Sequence, residues 1–154
     1  MRRIDGKCHC GNIAYELHWP LAGAEIPVRA CSCSFCTKHG GIYTSHREAE
    51  LRAVIHDQSL ITKYTFATGT AEFFICSRCG AAPFVTSMIQ GRLYAVVNAN
   101  TFEGVDRASF RSAVTSFDGE TPENRLERRK RTWIANVTIF NNINSLPQRR
   151  GDAE

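Results

Sequence analysis

The hydrophobic and polar positions of this chain fall into short extended runs rather than long helical stripes. Ile13-Ala14-Tyr15-Glu16-Leu17-His18-Trp19 alternates apolar and polar side chains, the period of a half-buried strand, and Pro20-Leu21-Ala22-Gly23 ends it. Residues 28–33 read as a second short strand, running into a polar turn through Lys38-His39-Gly40-Gly41. Residues 51–55, 60–66, 72–76, 83–88 and 93–98 are β-branched or aromatic runs with breaks between them. A series of short strands at close spacing predicts a mainly β fold of short antiparallel sheets. One short late helix is expected. Thr121-Pro122-Glu123 supplies an N-cap, a proline for the first turn and an early acid, and residues 124–131 can follow as helix. Residues 133–140 are apolar and fit either a last strand or a continuation of that helix, and the pattern leaves both open.

Length changes this picture little. The 154 residues fit one domain, expected over 1–140, with 141–154 a loose tail rich in Asn, Ser, Pro, Gly and charge. No apolar run approaches the roughly 18 residues needed to cross a bilayer, so no membrane partner is expected. The opening Met1-Arg2-Arg3-Ile4-Asp5-Gly6-Lys7 has basic residues but no apolar stretch behind them. It does not read as a secretory signal, and a cytoplasmic location is expected.

Charge is uneven. Residues 125–154 hold seven Lys/Arg against three Asp/Glu, while residues 1–124 balance twelve against twelve, so the net +4 lies wholly in the C-terminal segment. Arg125, Arg128, Arg129, Lys130, Arg131, Arg149 and Arg150 carry it. Clustered basic residues are the footprint of phosphate binding, but no aromatic interleaving or nucleic-acid motif accompanies these. A solvated helical face is the expectation, and a nucleic-acid partner is not.

The seven cysteines decide the chemistry. They fall into three clusters: Cys8-His9-Cys10-Gly11, Cys31-Ser32-Cys33-Ser34-Phe35-Cys36, and Cys76-Ser77-Arg78-Cys79-Gly80. An odd number of clustered cysteines in a reducing compartment points to metal or catalysis rather than disulfides. The first and third clusters share a close cysteine pair followed at once by glycine, a tight turn in which two thiolates converge on one ion. Two such knuckles facing each other supply four thiolates, so Cys8, Cys10, Cys76 and Cys79 are assigned to one closed, structural zinc site. The bland alternative is two unrelated pairs of buried free cysteines.

The middle cluster then has Cys31, Cys33 and Cys36 and no fourth cysteine. Three protein ligands plus an open position is the pattern of a catalytic zinc. His39, beside Gly40-Gly41, is the rival fourth ligand that would close the site, and a redox dithiol or free thiols remain as other readings. An open three-thiolate zinc is electron-rich and a weak Lewis acid. It suits holding a fourth thiol as a nucleophilic thiolate for attack on an electrophile such as an aldehyde. Lys38, Arg47 and Arg78 are basic residues near the clusters, each expected to be a surface charge, and no general acid or base stands out.

The three clusters in this order resemble the glutathione-dependent formaldehyde-activating (GFA) family, with all seven cysteines matching over roughly residues 6–100. The resemblance implies an Mss4-like fold of short antiparallel sheets built around zinc. It implies two zinc ions, a structural one at Cys8, Cys10, Cys76 and Cys79 and a catalytic one at Cys31, Cys33 and Cys36. It also implies a carbon–sulfur lyase or synthase activity that joins glutathione to formaldehyde as S-(hydroxymethyl)glutathione. The stretch Asn98-Ala99-Asn100-Thr101-Phe102-Glu103-Gly104 departs from the family's usual short Gly-Thr/Ser-Leu segment, and 107–154 departs further, so substrate contacts can differ there. The alternative function is a non-catalytic zinc module for a protein partner, which a closed middle site would favour.

Overall fold

A computed structural model describes residues 1–141 of the chain. Two sheets carry it. The first has β1 (Arg2–Lys7), β2 (Ile13–Trp19), β5 (Glu50–Ile55) and β11 (Asn136–Asn141), in that order across the sheet. The second orders β10 (Phe110–Thr115), β3 (Ile26–Cys31), β4 (Tyr43–Thr44), β9 (Arg92–Asn98), β8 (Phe84–Ile89), β7 (Glu72–Cys76) and β6 (Ile61–Tyr64). Two helices complete it, α1 (Ser34–His39) and α2 (Pro122–Thr132). The fold is mainly β with short sheets, and the late helix lies where its cap residues predict. Thr121 Oγ1 accepts from Asn124 N at 3.1 Å, and Pro122 occupies the first turn.

Most strand pairs are antiparallel, as expected, but two are parallel: β10 on β3 and β11 on β5. Both join a late strand to an early one across a long stretch of chain, which is how parallel neighbours must be connected. The apolar segment 133–140 is therefore divided. Trp133 closes α2, Ile134 bridges to Ala95, and β11 follows as a strand. Asn141, placed with the loose tail by its sequence, ends β11, and the rest of that expected tail lies outside the described residues.

The alternation of β2 aims Ile13, Tyr15, Leu17 and Trp19 inward, where they meet Leu51, Ala53 and Ile55 of β5 and Phe74, Phe84, Ala95 and Val97 of the second sheet. The central strands of the second sheet, β8 and β9, are buried on both faces. Phe73, Val85, Tyr94 and Val96 turn to the opposite side and pack with Trp133 and Cys36. Continuous runs such as Ala95-Val96-Val97 follow from that two-sided burial, because neither face meets water.

One expectation gives way. Residues 28–33 do not form one strand running into a turn: β3 ends at Cys31, and Ser34–His39 is helical. Cys33 is the N-cap of α1, its sulfur accepting from Cys36 N at 3.4 Å. A six-residue helix shows too little of its period to be read from pattern, and a cysteine cap lies outside the usual Ser, Thr, Asp and Asn.

Candidate metal centres and the cavity beside them

The four-cysteine cluster lies between the sheets. Cys8 and Cys10 occupy the turn from β1 to β2, and Cys76 and Cys79 the turn from β7 to β8. The two turns are built alike. Gly11 N donates to Cys8 O at 3.1 Å, and Gly80 N to Cys76 O at 2.7 Å. Both glycines hold positive φ, 84° and 81°, which a side chain would strain. Cys8 N donates to Ile13 O and Cys76 N to Ala81 O, tying each knuckle to the chain beyond it.

All four sulfurs lie within 4.8 Å of one another, with Cys8 and Cys10 3.7 Å apart and Cys10 and Cys76 3.5 Å. Four thiolates at about 2.3 Å around a tetrahedral zinc would stand roughly 3.8 Å apart, so this donor set fits such an ion. Cys8 and Cys76 are fully buried. Burial, first of all, pushes the Cys8 thiol up to about 12. Cys79 is drawn down to about 7: partial burial opposes this, but the N–H groups of Ala81 and Cys10 and the Cys76 and Cys8 thiols outweigh it.

The three-cysteine cluster sits where β3 passes into α1. Its sulfurs also lie within 4.8 Å of one another. Burial chiefly raises Cys36, with Cys33 and Cys31 beside it adding to the effect. Cys33 is lowered overall: partial burial works against it, but the N–H groups of Cys36 and Phe35 and the neighbouring thiols favour its thiolate. His39 does not join this group. Its ring stacks on Phe35, centroids 5.3 Å apart and 8° from parallel, and burial lowers its pKa. The middle cluster thus brings together three cysteines and no fourth ligand among the described residues.

The three cysteines open on a cavity of about 150 Å³. Phe66, Phe73, Val85, Val96 and Trp133 give it apolar walls, and Tyr43 contributes a phenol. Tyr43 is buried and its hydroxyl has no hydrogen-bond partner among the described residues. Burial first, then the charge of the nearby thiols, raises its pKa, so the hydroxyl keeps its proton at neutral pH. Arg29, Arg125, Arg128 and Arg129 also line the cavity. The expectation of a solvated basic face on α2 is therefore corrected. Arg131 is exposed, but Arg129 is 6% exposed, and Arg125 and Arg128 are half-buried. Residues 125 and 129 are one turn apart on the face that α2 turns to the sheet.

Lys38, Arg47 and Arg78 are exposed surface charges and line no part of the cavity. The segment 98–104, where substrate contacts were expected to diverge, is structural. Asn98 Oδ1 caps a short turn, Asn100 Nδ2 donates to Gly40 O at 3.0 Å behind α1, and Thr101 Oγ1 meets Tyr15 Oη at 2.8 Å. Residues beyond 107 do reach the cavity, through Phe117, Asp118, α2 and Trp133. Tyr43 and the α2 arginines are the site residues that the sequence reading missed. The arginines' spacing at 125, 128 and 129 was the signal available.

Such an arrangement defines a class: a mainly β protein whose cysteines form two clusters that could each hold a metal ion, one bridging its sheets and one facing a cavity. The chain belongs to the GFA family, glutathione-dependent formaldehyde-activating enzyme, whose model matches residues 3–117. It is also similar to a crystal structure of a Rhodobacter sphaeroides protein, with 28% identity over 68% of this chain and 92% of that chain, at a TM-score of 0.49. No helix among the described residues is long and apolar enough to cross a membrane.

Proposed function

We propose that residues 1–140 act as one zinc-dependent domain that makes or breaks a carbon–sulfur bond in a thiol adduct. The leading reaction is glutathione plus formaldehyde giving S-(hydroxymethyl)glutathione. The observation that carries this reading is the middle cluster: three convergent thiols with no fourth protein ligand, opening on a cavity. Cys31, Cys33 and Cys36 would hold the catalytic zinc, and Cys8, Cys10, Cys76 and Cys79 the structural one. When bound, the zinc supplies positive charge that keeps a substrate thiol ionised at neutral pH.

The chain's own side chains do the rest. Phe66, Phe73, Val85 and Trp133 exclude water from the reacting atoms. As the sulfur adds to the aldehyde carbon, the C=O electron pair moves to oxygen, which takes up from solvent at the cavity mouth a proton equal to the one the thiol released on ionising. Tyr43 lines the cavity, and its protonated hydroxyl has no acceptor among the described residues. It is therefore the donor available to that oxygen as its charge grows, once the hydroxyl turns from its place against Gly41. In the reverse direction the C–S bond breaks and the hydroxyl proton is released. A protein-docking module would be favoured by a middle cluster closed by His39, and His39 does not converge on it.

Because the adduct also forms unaided, the test is exchange between free formaldehyde and the glutathione adduct, followed by magnetisation transfer at equilibrium. The zinc-replete protein is expected to accelerate exchange in proportion to its concentration, and Cys33→Ser to abolish the acceleration. Equal rates with and without protein would sink the reading.

A further inference from the structure

Beside the thiol cluster, the cavity holds more positive charge than its own acids neutralise. Four guanidinium groups line it, Arg29, Arg125, Arg128 and Arg129, against one lining acid, Asp118, which is exposed. Glu120 lies next to them and is largely spent. It accepts from Arg128 Nε and Nη2 at 2.9 and 3.1 Å, and stands 3.5 Å from Arg125 Nε without an aligned hydrogen bond. Arg29 and Arg129 have no carboxylate partner among the described residues. Arg29 reaches only Ser45 Oγ, at 3.4 Å.

Arg129 is the informative one. It is 94% buried, yet it is held by neutral groups alone. Its Nη1 donates to Thr70 Oγ1 at 2.8 Å and to Ser87 Oγ at 3.2 Å, and its guanidinium lies 4.9 Å from the Trp133 ring. Its Nε, like that of Arg125, is buried with no hydrogen-bond acceptor among the described residues. Glu120 acts on Arg129 only at a distance and is already bonded to Arg128, so this buried cation has no carboxylate in contact with it. Such burial is costly, and a chain keeps such a group where something else completes it. A guanidinium fixed by two hydroxyls beside an aromatic ring, in a side chain that lines the cavity, is pre-organised for an oxyanion. Arg125 and Arg129 both lie beyond the residues 3–117 that match the family.

We infer that Arg129, with Arg125 and Arg29, forms a carboxylate-binding subsite that selects thiols bearing a carboxylate and anchors them with their sulfur toward Cys31, Cys33 and Cys36. This rests on the thiol-adduct reading for the position of the sulfur, but the anion site has its own test.

The probe is S-methylglutathione, which keeps both carboxylates and has no thiol, titrated calorimetrically into the zinc-replete protein beside its diethyl ester, which keeps the amine and the peptide but carries no carboxylate. Wild type is expected to bind the free acid at least tenfold more tightly than the ester. Arg129→Gln should lose that preference and Arg125→Gln should reduce it several-fold. If Arg129→Gln does not fold, Arg125→Gln and the acid-to-ester ratio still decide. Equal binding of acid and ester, or no binding of either, overturns the subsite. So does binding of the acid that is unchanged in every folded arginine variant. 2-Mercaptoethanol, a thiol without a carboxylate, reports the cysteine cluster separately through the sulfur-to-cobalt absorption of cobalt-substituted protein. Its band should be the same in Arg125→Gln as in wild type. Arginine-dependent binding of S-methylglutathione without accelerated formaldehyde exchange would remove the thiol-adduct reading and leave the subsite standing. Accelerated exchange with no acid-over-ester preference would do the reverse.

Discussion

The two cysteine clusters are made from the same side chain and set in opposite surroundings. The four-cysteine group joins the turn between β1 and β2 to the turn between β7 and β8, so it ties one sheet to the other, and two of its residues are fully buried. The three-cysteine group belongs to a single passage of chain, from the end of β3 into α1, and faces a cavity. A complete ligand set placed between distant elements contributes stability. An incomplete set on one local segment contributes little stability and leaves a position for something else. Number and placement, rather than the chemistry of cysteine, divide the two roles proposed above.

That contrast can be broken most severely at Cys76. Cys76→Ser removes a ligand from the inter-sheet cluster, and a loss of about 4 kcal/mol or more is expected, a large share of the roughly 5–15 kcal/mol that holds an ordinary domain folded. Thermal denaturation measures it; a melting temperature equal to the parent's would refute the structural assignment. Cys33→Ser is expected to abolish turnover and to lower bound zinc from two per chain to one. A serine hydroxyl can replace the sulfur as the α1 N-cap, so stability should fall by no more than about 1 kcal/mol. Zinc analysis beside a melting curve separates these outcomes, and joint loss of both metals would erase the distinction between the clusters.

Removing the metal tests the same contrast without mutation. Under a graded chelator, the first zinc should leave with the fold intact by circular dichroism, and the second only with unfolding. Simultaneous loss would mean that the clusters are one cooperative unit. Tyr43→Phe deletes the hydroxyl but keeps the ring, so metal content and stability should hold while turnover falls on the order of a hundredfold, the usual cost of one donor to a developing oxyanion. An unchanged rate would remove Tyr43 from the chemistry.

The smallest effect concerns the cavity wall. The Glu120 carboxyl is held below its usual range, first by its hydrogen bond from Arg128 and then by the charges of Arg128, Arg125 and Arg129. A carboxylate lowered on folding stabilises the protein above its unfolded pKa, and that stabilisation is lost as pH falls through the folded value. Glu120→Gln should therefore cost no more than about 1 kcal/mol at pH 7 for a partly screened pair, and the difference should vanish in acid. Denaturant curves at pH 7 and below pH 4 measure it; a difference that grows in acid would contradict the ion pair.

Much of this was readable in the chain, and for a physical reason. Metal ligation needs fixed residue types at short spacings, so the three cysteine clusters and their glycine turns stand out locally. Strands with alternating or fully apolar faces, such as β2 and β9, also announce themselves. What stayed hidden depends on partners far away in sequence. β1 has one large apolar residue, Ile4, and its Gly6 is needed because a Cβ there would meet the Tyr15 ring at 2.1 Å. β10 is an edge strand with Val114 80% exposed, so it shows no alternation. Arg129 looks like one of a run of surface charges until the fold sets it against Thr70 and Ser87. The grouping of charges was visible, but their inward direction was decided by where α2 packs.

The parallel pairing of β10 with β3 has a consequence for the order of events as the chain is made. Its register sets Thr115 beside Cys31, and Ser32 N donates to Thr115 O at 2.9 Å, so the chain leaves β10 at the mouth of the thiol cluster. All seven cysteines have been synthesised by residue 79, whereas Phe117, the α2 arginines and Trp133 emerge later and dock through long-range contacts that form slowly. Metal can therefore be captured while the cysteines are still open to solvent, before the selective wall is built. On the function proposed above, the nascent chain would be able to hold metal first, and would gain discrimination between substrates only when residues 117–133 pack against the cavity.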